Sequence, residues 1–264
     1  MLAATIGTFD GVHKGHQFLL DTLCREAEQR GLQPAVIVID RDSTNRLTTP
    51  EEQNTLLRKY QLSIVNYQLS DIQHLTAIEF LSTFEFQLST LLMGYNHRFG
   101  ADQLDYQALK SQISNLKSQI NIIPCPQGPN VSSSAIRKAL QDGNIELANS
   151  MLGYNYTLTG TVVHGKALGR TIGFPTANIQ PHPSKLIPKP GVYMAVTHHP
   201  SPLTALVNIN DTIEAFLPDY QGPEFYGTTL SLELTHRLRD EQHFNSLSDL
   251  QAQIQQDLKR ANLI

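Results

Sequence analysis

The first thirty residues combine a short apolar run with a helical pattern, separated by a polar turn. Residues 2–6 are almost entirely apolar, which is typical of a buried strand. Beyond His16, apolar residues recur at helical spacing, at Leu19, Leu20, Leu23 and Ala27. The pattern therefore predicts a strand, a turn over residues 7–16 and a helix.

Apolar runs and helical patterns continue to alternate up to about residue 153. Predicted strands cover 35–39, 62–65, 91–94 and 120–123, and predicted helices begin at Pro50 or cover 77–90, 106–118 and 145–152. Strands that alternate with helices predict a doubly wound parallel sheet, in which ligands bind beyond the carboxyl ends of the strands.

After residue 153 the pattern changes to the period-two alternation of antiparallel strands. Such strands are predicted over 156–163, 192–197, 204–209 and 228–238, with glycine, proline and polar turns between them. A closing helix is predicted over 246–261, with Ser246 and Asp249 placed as a capping box. We therefore expect one domain over 1–153 and an antiparallel barrel or sandwich over 154–264.

Composition argues against nucleic acid and membranes as partners. The 264 residues carry 20 basic and 24 acidic side chains, a formal charge of -4, with no basic run. No apolar stretch reaches the roughly 20 residues that span a bilayer, and no secretion signal is visible. The two cysteines, Cys24 and Cys125, lack metal-ligand spacing. We expect a soluble cytoplasmic protein; its oligomeric state stays open.

The turn over residues 7–16 reads G-T-F-D-G-V-H-K-G-H. Gly7, Gly11 and Gly15 allow a ligand to approach the backbone, and a helix amino terminus suits phosphate. His13 and His16 can donate hydrogen bonds to phosphate oxygens, as nucleotidyl transfer requires. Either histidine alone would be an ordinary solvated residue, but the complete pattern after a strand indicates this chemistry.

Two further motifs follow predicted strands of the sheet. Residues 94–100 read G-Y-N-H-R-F-G, in which Arg98 can contact phosphate or base. Residues 132–137 read S-S-S-A-I-R and open a helix, so hydroxyl groups and Arg137 form an anion clamp. Serine is also the ordinary helix cap. Beside the paired histidines, however, this segment predicts the opposite wall of one triphosphate site.

The second half contains its own glycine-rich segment, over residues 165–178. Its glycines allow close approach to phosphate, and Lys166 and Arg170 add positive charge. Thr176 and Asn178 offer oxygen ligands suited to Mg²⁺. Glycines also serve barrel turns, and the segment does not match the P-loop pattern.

In order and spacing, these motifs resemble the bacterial bifunctional riboflavin kinase/FAD synthetase family over nearly the whole chain. The resemblance implies a nucleotidyltransferase-like α/β domain that adenylylates FMN to FAD. It also implies a β-barrel domain with a carboxy-terminal helix that phosphorylates riboflavin to FMN. ATP and Mg²⁺ are the implied cofactors, and the flavins are substrates and products.

The resemblance also assigns roles to individual residues. His13 and His16 would act in adenylyl transfer, and Glu214 would take the proton from the riboflavin 5'-hydroxyl. Nucleotide contacts are implied for Gly7, Phe9, Asp10, Gly11, Gly15, Asn96, Arg98, Ser133, Ser134 and Arg137, and in the second domain for Gly165, Lys166, Gly169 and Thr176. Phe174 and Arg239 would lie at the flavin, and Thr176 and Asn178 would bind Mg²⁺.

Three stretches depart from the family pattern. The chain begins at the first strand, without the usual lead-in. Ile39 to Ser43 replace a stretch of the type F-x-P-H-P, which affects flavin or adenine contacts. The N-I-G-x-R-P-T loop before Glu214 is reduced to residues 208–211.

Other functions stay open at this point. The shortened loop favours an enzyme that only adenylylates FMN, with the barrel as a flavin-binding module, whereas the intact G-F-P-T-A-N motif and Glu214 favour both activities. An aminoacyl-tRNA synthetase relative would share the H-x-G-H pair but needs a basic surface. A non-catalytic flavin carrier would not need the two histidines.

Overall fold

The computed structural model describes residues 1–83, 88–115, 120–165, 168–198, 202–223 and 225–263. The chain divides into two compact units, Met1–Ser132 and Ser133–Ile264. The first holds a parallel sheet and the second a closed antiparallel barrel followed by a helix, so the predicted fold class is confirmed. No helix in these ranges is long and apolar enough to span a membrane.

The first unit is a five-stranded parallel sheet with helices on both faces. Its elements are β1 (Leu2–Gly7), α1 (Lys14–Gln29), β2 (Gln33–Asp40), α2 (Pro50–Arg58), β3 (Ser63–Gln68), α3 (Leu69–Ile72), α4 (Ala77–Ser82), β4 (Leu88–Met93), α5 (Tyr106–Asn115) and β5 (Asn121–Pro124). The strand order is β3-β2-β1-β4-β5. The strand β1 is therefore central, and the turn that follows it lies at the middle of the carboxyl edge.

Burial on both faces explains why the central strands read as apolar runs. Ala35 and Ile37 of β2 pack in the cluster that contains Phe80 of α4, while Val36 and Val38 pack with Leu20 of α1 on the other face. A third cluster joins Leu23 and Ala27 of α1 to Ala3 of β1. The core thus fixes α1, and with it the 7–16 turn, against the sheet.

The second unit is built around a closed barrel. Its elements are α6 (Ser133–Asp142), α7 (Ile145–Leu152), β6 (Tyr156–Val163), α8 (Leu168–Thr171), β7 (Thr176–Pro181), β8 (Gly191–Thr197), β9 (Leu203–Ile209), β10 (Ile213–Phe216), β11 (Thr229–Arg239) and α9 (Leu247–Arg260). The barrel order is β10-β7-β6-β11-β8-β9, and every neighbouring pair is antiparallel.

The structure corrects several element boundaries. The helix predicted over 77–90 ends at Ser82, because residues from Leu88 onward pair with β1. Residues 84–87 of that prediction, and 116–118 of the predicted 106–118 helix, lie outside the described residues. The strands β7 and β10 are additional to the strands predicted from the sequence. Pairing with neighbouring strands, not local pattern, makes these segments extended.

The compact units divide before α6, whereas the sequence predicts a boundary near residue 153. The reason is that α7 packs on the barrel: Asn149 donates a hydrogen bond from Nδ2 to the Leu234 carbonyl of β11 (2.8 Å) and accepts one from the Tyr156 amide (2.7 Å). The division of activities at residue 153 stays a prediction.

A buried ion pair fixes α9 to the barrel. Arg239 at the end of β11 donates from Nε to both carboxylate oxygens of Asp257 (3.0 Å each) and from Nη2 to Oδ2 (2.7 Å). The Asp257 side chain is 1% exposed and that of Arg239 is 12% exposed. Around the pair, Leu258 and Ile254 of α9 pack against the barrel residue Val192.

We expect Asp257→Asn to lower the free energy of unfolding of the barrel unit by about 3 kcal/mol, since it leaves the Arg239 charge buried without its counter-ion. Urea unfolding and faster amide exchange along α9 would show this. The control is Asp142→Asn, which breaks the ion pair between Lys138 and Asp142, whose side chains are 77% and 57% exposed, respectively. It should cost less than about 1 kcal/mol. Equal effects of the two substitutions would contradict a stabilising role for the Arg239–Asp257 pair.

Candidate active sites

The first candidate site is the turn between β1 and α1. His13 caps α1, because its Nδ1 accepts a hydrogen bond from the backbone amide of His16 (3.3 Å). A neutral imidazole whose Nδ1 accepts carries its proton on Nε2. The cap therefore orients His13 so that Nε2 is a hydrogen-bond donor.

The two histidine rings are stacked and electrically neutral. Their centroids lie 3.7 Å apart with an interplanar angle of 16°, and Phe9 contacts His16 with ring centroids 5.0 Å apart. Burial lowers the pKa of His13 to about 4 and lowers the pKa of His16 well below its ordinary value. Within the described residues, Nδ1 of His16 is buried without a hydrogen-bond partner. Both side chains thus act as neutral donors or acceptors at pH 7.

The turn is held in a strained conformation. Phe9 has φ 48° and Val12 has φ 33°, values that are rare for residues other than glycine and especially for a β-branched one. Two glutamine side chains support it: Gln53 donates to the Thr8 carbonyl (2.7 Å) and Gln17 to the Val12 carbonyl (2.8 Å). Such strain persists only where surrounding contacts determine the backbone.

Asp10 ties the turn to the loop after β2. Its buried carboxylate accepts hydrogen bonds from the amides of Leu47 (2.9 Å) and Thr48 (3.0 Å). The amide of Gly11 donates in turn to the Thr48 hydroxyl (3.0 Å). Asp10 and Gly11 lie outside the lining of the adjacent cavity. The contacts of Asp10 are those of a positioning residue, and its direct contact with nucleotide stays a prediction.

A cavity of about 720 Å³ opens beside the turn. Of the residues predicted from the sequence, it is lined by Gly7, Phe9, His13, Gly15, His16, Asn96 and Arg98, together with Phe99. The segment 126–131 after β5 also lines the cavity, although none of the site residues predicted from the sequence lies in it. The proline and glycine content of that segment, directly after a strand, was an available indication.

Three other predicted residues of the adenylyl-transfer site belong to the second unit. Ser133, Ser134 and Arg137 lie in the first turns of α6. Their contact with nucleotide stays a prediction.

The second candidate site is a row of polar side chains on adjacent barrel strands. Glu214 of β10 lies directly opposite Asn178 of β7 on one side and Asn208 of β9 on the other. Thr176 is two residues from Asn178 on the same strand and lies opposite Phe216. Since directly opposite residues share a face of the sheet, the four polar side chains lie together. The structure thus unites the predicted Thr176, Asn178 and Glu214 and adds Asn208.

Two of the predicted glycines lie against this row. A Cβ at Gly165 would come within 2.1 Å of the Asn178 amide, and one at Gly169 within 2.2 Å of the Phe174 carbonyl. Glycine is therefore required for close packing at both positions. Lys166 lies outside the described residues.

The shortened loop before Glu214 is a tight hairpin between β9 and β10. Asn210 accepts hydrogen bonds at Oδ1 from the amide (2.9 Å) and the hydroxyl (3.1 Å) of Thr212, and it donates to Glu241 (3.1 Å). The Thr212 hydroxyl also lies 3.3 Å from Oε1 of Glu214. The short connection therefore keeps Glu214 in a paired strand.

A cavity of about 990 Å³ runs from this row to α9. Phe174 and Phe216 meet edge to face there, with centroids 5.4 Å apart, and Leu250 and Ile254 of α9 line the same cavity. Arg239 also lines it, although its guanidinium is bound to Asp257. The cavity thus joins oxygen ligands at one end to an apolar, aromatic wall at the other.

Comparison with protein families matches each unit to an enzyme. Residues 1–135 match the FAD synthetase model, and residues 152–264 match the riboflavin kinase (Flavokinase) model. The bifunctional riboflavin kinase/FMN adenylyltransferase of Escherichia coli is 34% identical, over 96% of this chain and 89% of that protein. The Bacillus subtilis protein of the same name is 30% identical, over 97% and 90%.

The fold has a counterpart among solved structures. A crystal structure from Streptococcus pneumoniae, named as a macrolide-efflux protein, superimposes with a TM-score of 0.85. It is 26% identical, and the match covers 98% of this chain and 93% of that one.

We expect the burial of His13 to make the first unit acid-sensitive. The unfolded chain takes up a proton near pH 6.5, whereas folded His13 does so only near pH 4, so stability is present above pH 6.5 and falls as the pH drops. Between pH 7 and pH 5 the free energy of unfolding should therefore fall by about 2 kcal/mol through His13. His13→Asn, which keeps an acceptor for the His16 amide, should reduce this loss in urea unfolding experiments. The control is His74→Asn, at an exposed position outside the cavity lining, which should not reduce this loss. An unchanged pH dependence of stability in His13→Asn would contradict the prediction.

Proposed function

This chain belongs to the family of bifunctional riboflavin kinase/FMN adenylyltransferases, and we propose that it phosphorylates riboflavin to FMN and adenylylates FMN to FAD, with ATP in both steps. The observation that carries the proposal is the presence of two separate polar constellations, each within the part of the chain that matches the corresponding enzyme. His13 and His16 lie in the first, and Thr176, Asn178 and Glu214 lie in the second.

In adenylyl transfer, a phosphate oxygen of FMN attacks the α-phosphorus of ATP and pyrophosphate leaves. His13 and His16 would donate hydrogen bonds to phosphate oxygens at the amino terminus of α1, where the helix dipole favours negative charge. Burial lowers the pKa of both rings in the free protein, so we assign them to binding and orienting phosphate oxygens and not to proton transfer. The strained turn holds them in place before the substrates arrive.

In the kinase step, the riboflavin 5'-hydroxyl attacks the γ-phosphorus of ATP and ADP leaves. Glu214 would accept the hydroxyl proton, and Phe174 and Phe216 would pack on the flavin. Thr176 and Asn178 provide hard oxygen atoms beside Glu214, which fits a site for Mg²⁺ shared with ATP phosphates. When bound, Mg²⁺ would neutralise charge on the transferring phosphate.

The alternative of adenylyl transfer alone is not favoured. The residues of the predicted kinase site are present, and the shortened loop leaves Glu214 paired between β7 and β9. The test is to incubate the purified chain with riboflavin, ATP and Mg²⁺, and in parallel with FMN, and to separate the flavins by chromatography. FAD from both mixtures is the expected result; FAD from FMN alone would establish the alternative.

We expect His16→Ala to lower the rate of FMN adenylylation by at least about 100-fold, the usual cost of removing one donor to a charged transition state. Riboflavin phosphorylation should stay within about twofold, because His16 lies in the other candidate site. Separate assays from FMN and from riboflavin measure the two rates. Loss of both activities would contradict the separation.

For Glu214→Gln we expect the reverse. The amide keeps the volume and an acceptor for Thr212 but cannot take the hydroxyl proton, so riboflavin phosphorylation should fall by about 100- to 10,000-fold. The control is Glu233→Gln on β11, at a position outside the lining of the second cavity. This variant should leave the rate of riboflavin phosphorylation unchanged. Normal kinase turnover in Glu214→Gln would remove Glu214 from the role of base.

A further inference from the structure

The first cavity has a distinctive charge distribution. Among its described lining residues, the guanidinium groups are those of Arg41 and Arg98, and there is no aspartate or glutamate. Its histidines do not add charge at pH 7, since burial lowers the pKa of His13, His16 and His97. Stabilisation of phosphate charge in this cavity therefore depends on the arginines together with neutral donors.

Arg41 lies at a position suited to ligand binding. It directly follows β2, at the carboxyl edge of the sheet where ligands of such folds bind. Its side chain is exposed and makes no hydrogen bond or ion pair within the described part of the chain. By contrast, Arg46 in the same loop is buried and bound to Asp40 (2.5 Å) and to the Thr48 carbonyl (3.2 Å).

The surrounding contacts leave the charge of Arg41 uncompensated. Neither carboxylate next to Arg41 in the chain pairs with it: Asp40 is bound by Arg46, and Asp42 is exposed and makes no ion pair with Arg41 among the described residues. The following segment is held by Asp10, which binds the amides of Leu47 and Thr48. Arg41 therefore extends from a loop whose far end is anchored to the histidine-containing turn.

The two arginines lie on opposite sides of that turn. The central strand β1 pairs with β2 on one side and with β4 on the other. Arg41 follows β2 and Arg98 follows β4, so the turn carrying His13 and His16 lies between them. A phosphate chain bound at the turn would therefore have an arginine-bearing loop on each side.

We propose that Arg41 is a phosphate-binding residue of the first cavity, paired across the histidine turn with Arg98. The proposal rests on the adenylyl-transfer function and adds to it a residue in the stretch where the chain departs from its family. The ligand group is a phosphate ester or anhydride, which both FMN and ATP carry. A phosphate monoester has about 1.5 to 2 negative charges at pH 7, so one guanidinium forms a charge-assisted hydrogen bond with it.

The test compares Arg41→Gln with the unaltered chain. In the variant we expect the KM for FMN or for ATP in adenylylation to rise about 10-fold. We also expect this KM to increase less steeply with ionic strength in the variant than in the unaltered chain. The substrate whose KM changes identifies the phosphate group. Calorimetric titrations with FMN and with inorganic pyrophosphate measure binding without turnover. If the unaltered chain makes no FAD, the proposed function is refuted. The titrations still test Arg41 in that case, because they measure binding and not turnover.

The matched control is Arg30→Gln, which makes the same charge change at the carboxyl end of α1, away from the histidine turn. Arg30 forms an exposed ion pair with Glu26 there. This control should alter neither KM, and Arg41→Lys should recover part of the loss by restoring the charge. Riboflavin phosphorylation serves as an internal control for the barrel unit, and urea unfolding checks the fold of the first unit. Values of both KM and both dissociation constants within about twofold in Arg41→Gln would overturn the proposal, as would an equal rise in Arg30→Gln.

Discussion

The hydrogen bonds between the Asp10 carboxylate and the amides of Leu47 and Thr48 connect two segments on which the first site depends. Together with the hydrogen bonds from Gln17 and Gln53, they oppose relaxation of the unusual backbone at Phe9 and Val12. The same contact holds the loop after β2, which carries Arg41 at its beginning. A buried carboxylate that accepts several backbone hydrogen bonds is well satisfied, so the motif aspartate serves the site by shaping it.

The two candidate sites meet the same problem, a polyphosphate in a partly buried cavity, with different groups. The parallel sheet offers a helix amino terminus and two imidazoles that burial keeps neutral. The barrel offers hydroxyl, amide and carboxylate oxygens on adjacent strands. The first arrangement needs cationic side chains near the phosphates, and the second is suited to a hard cation. Each fold thus determines which neutralising group it can use.

Sequence patterns predicted the architecture because its main determinants are local. Apolar runs such as β2 and the spacing of Leu20, Leu23 and Ala27 in α1 depend on burial alone. Long-range contacts set the features that were missed: β7 and β10 become strands through pairing, and residues 88–90 join β4 because β1 lies beside them. The motifs located His13, His16, Thr176, Asn178 and Glu214. Asn208 and the segment 126–131 enter their sites only through tertiary structure.

The Arg239–Asp257 pair has a consequence for the synthesis of the chain. Arg239 precedes its counter-ion by 18 residues, so at about 5 to 20 residues per second it is translated about one to four seconds before Asp257. All the barrel strands precede α9, yet the cavity wall that α9 supplies does not exist until that helix has been made. Until that helix docks, the apolar face around Phe174 and Phe216 is open to water. The nascent barrel is therefore most exposed to chaperones and to aggregation just before its last helix docks.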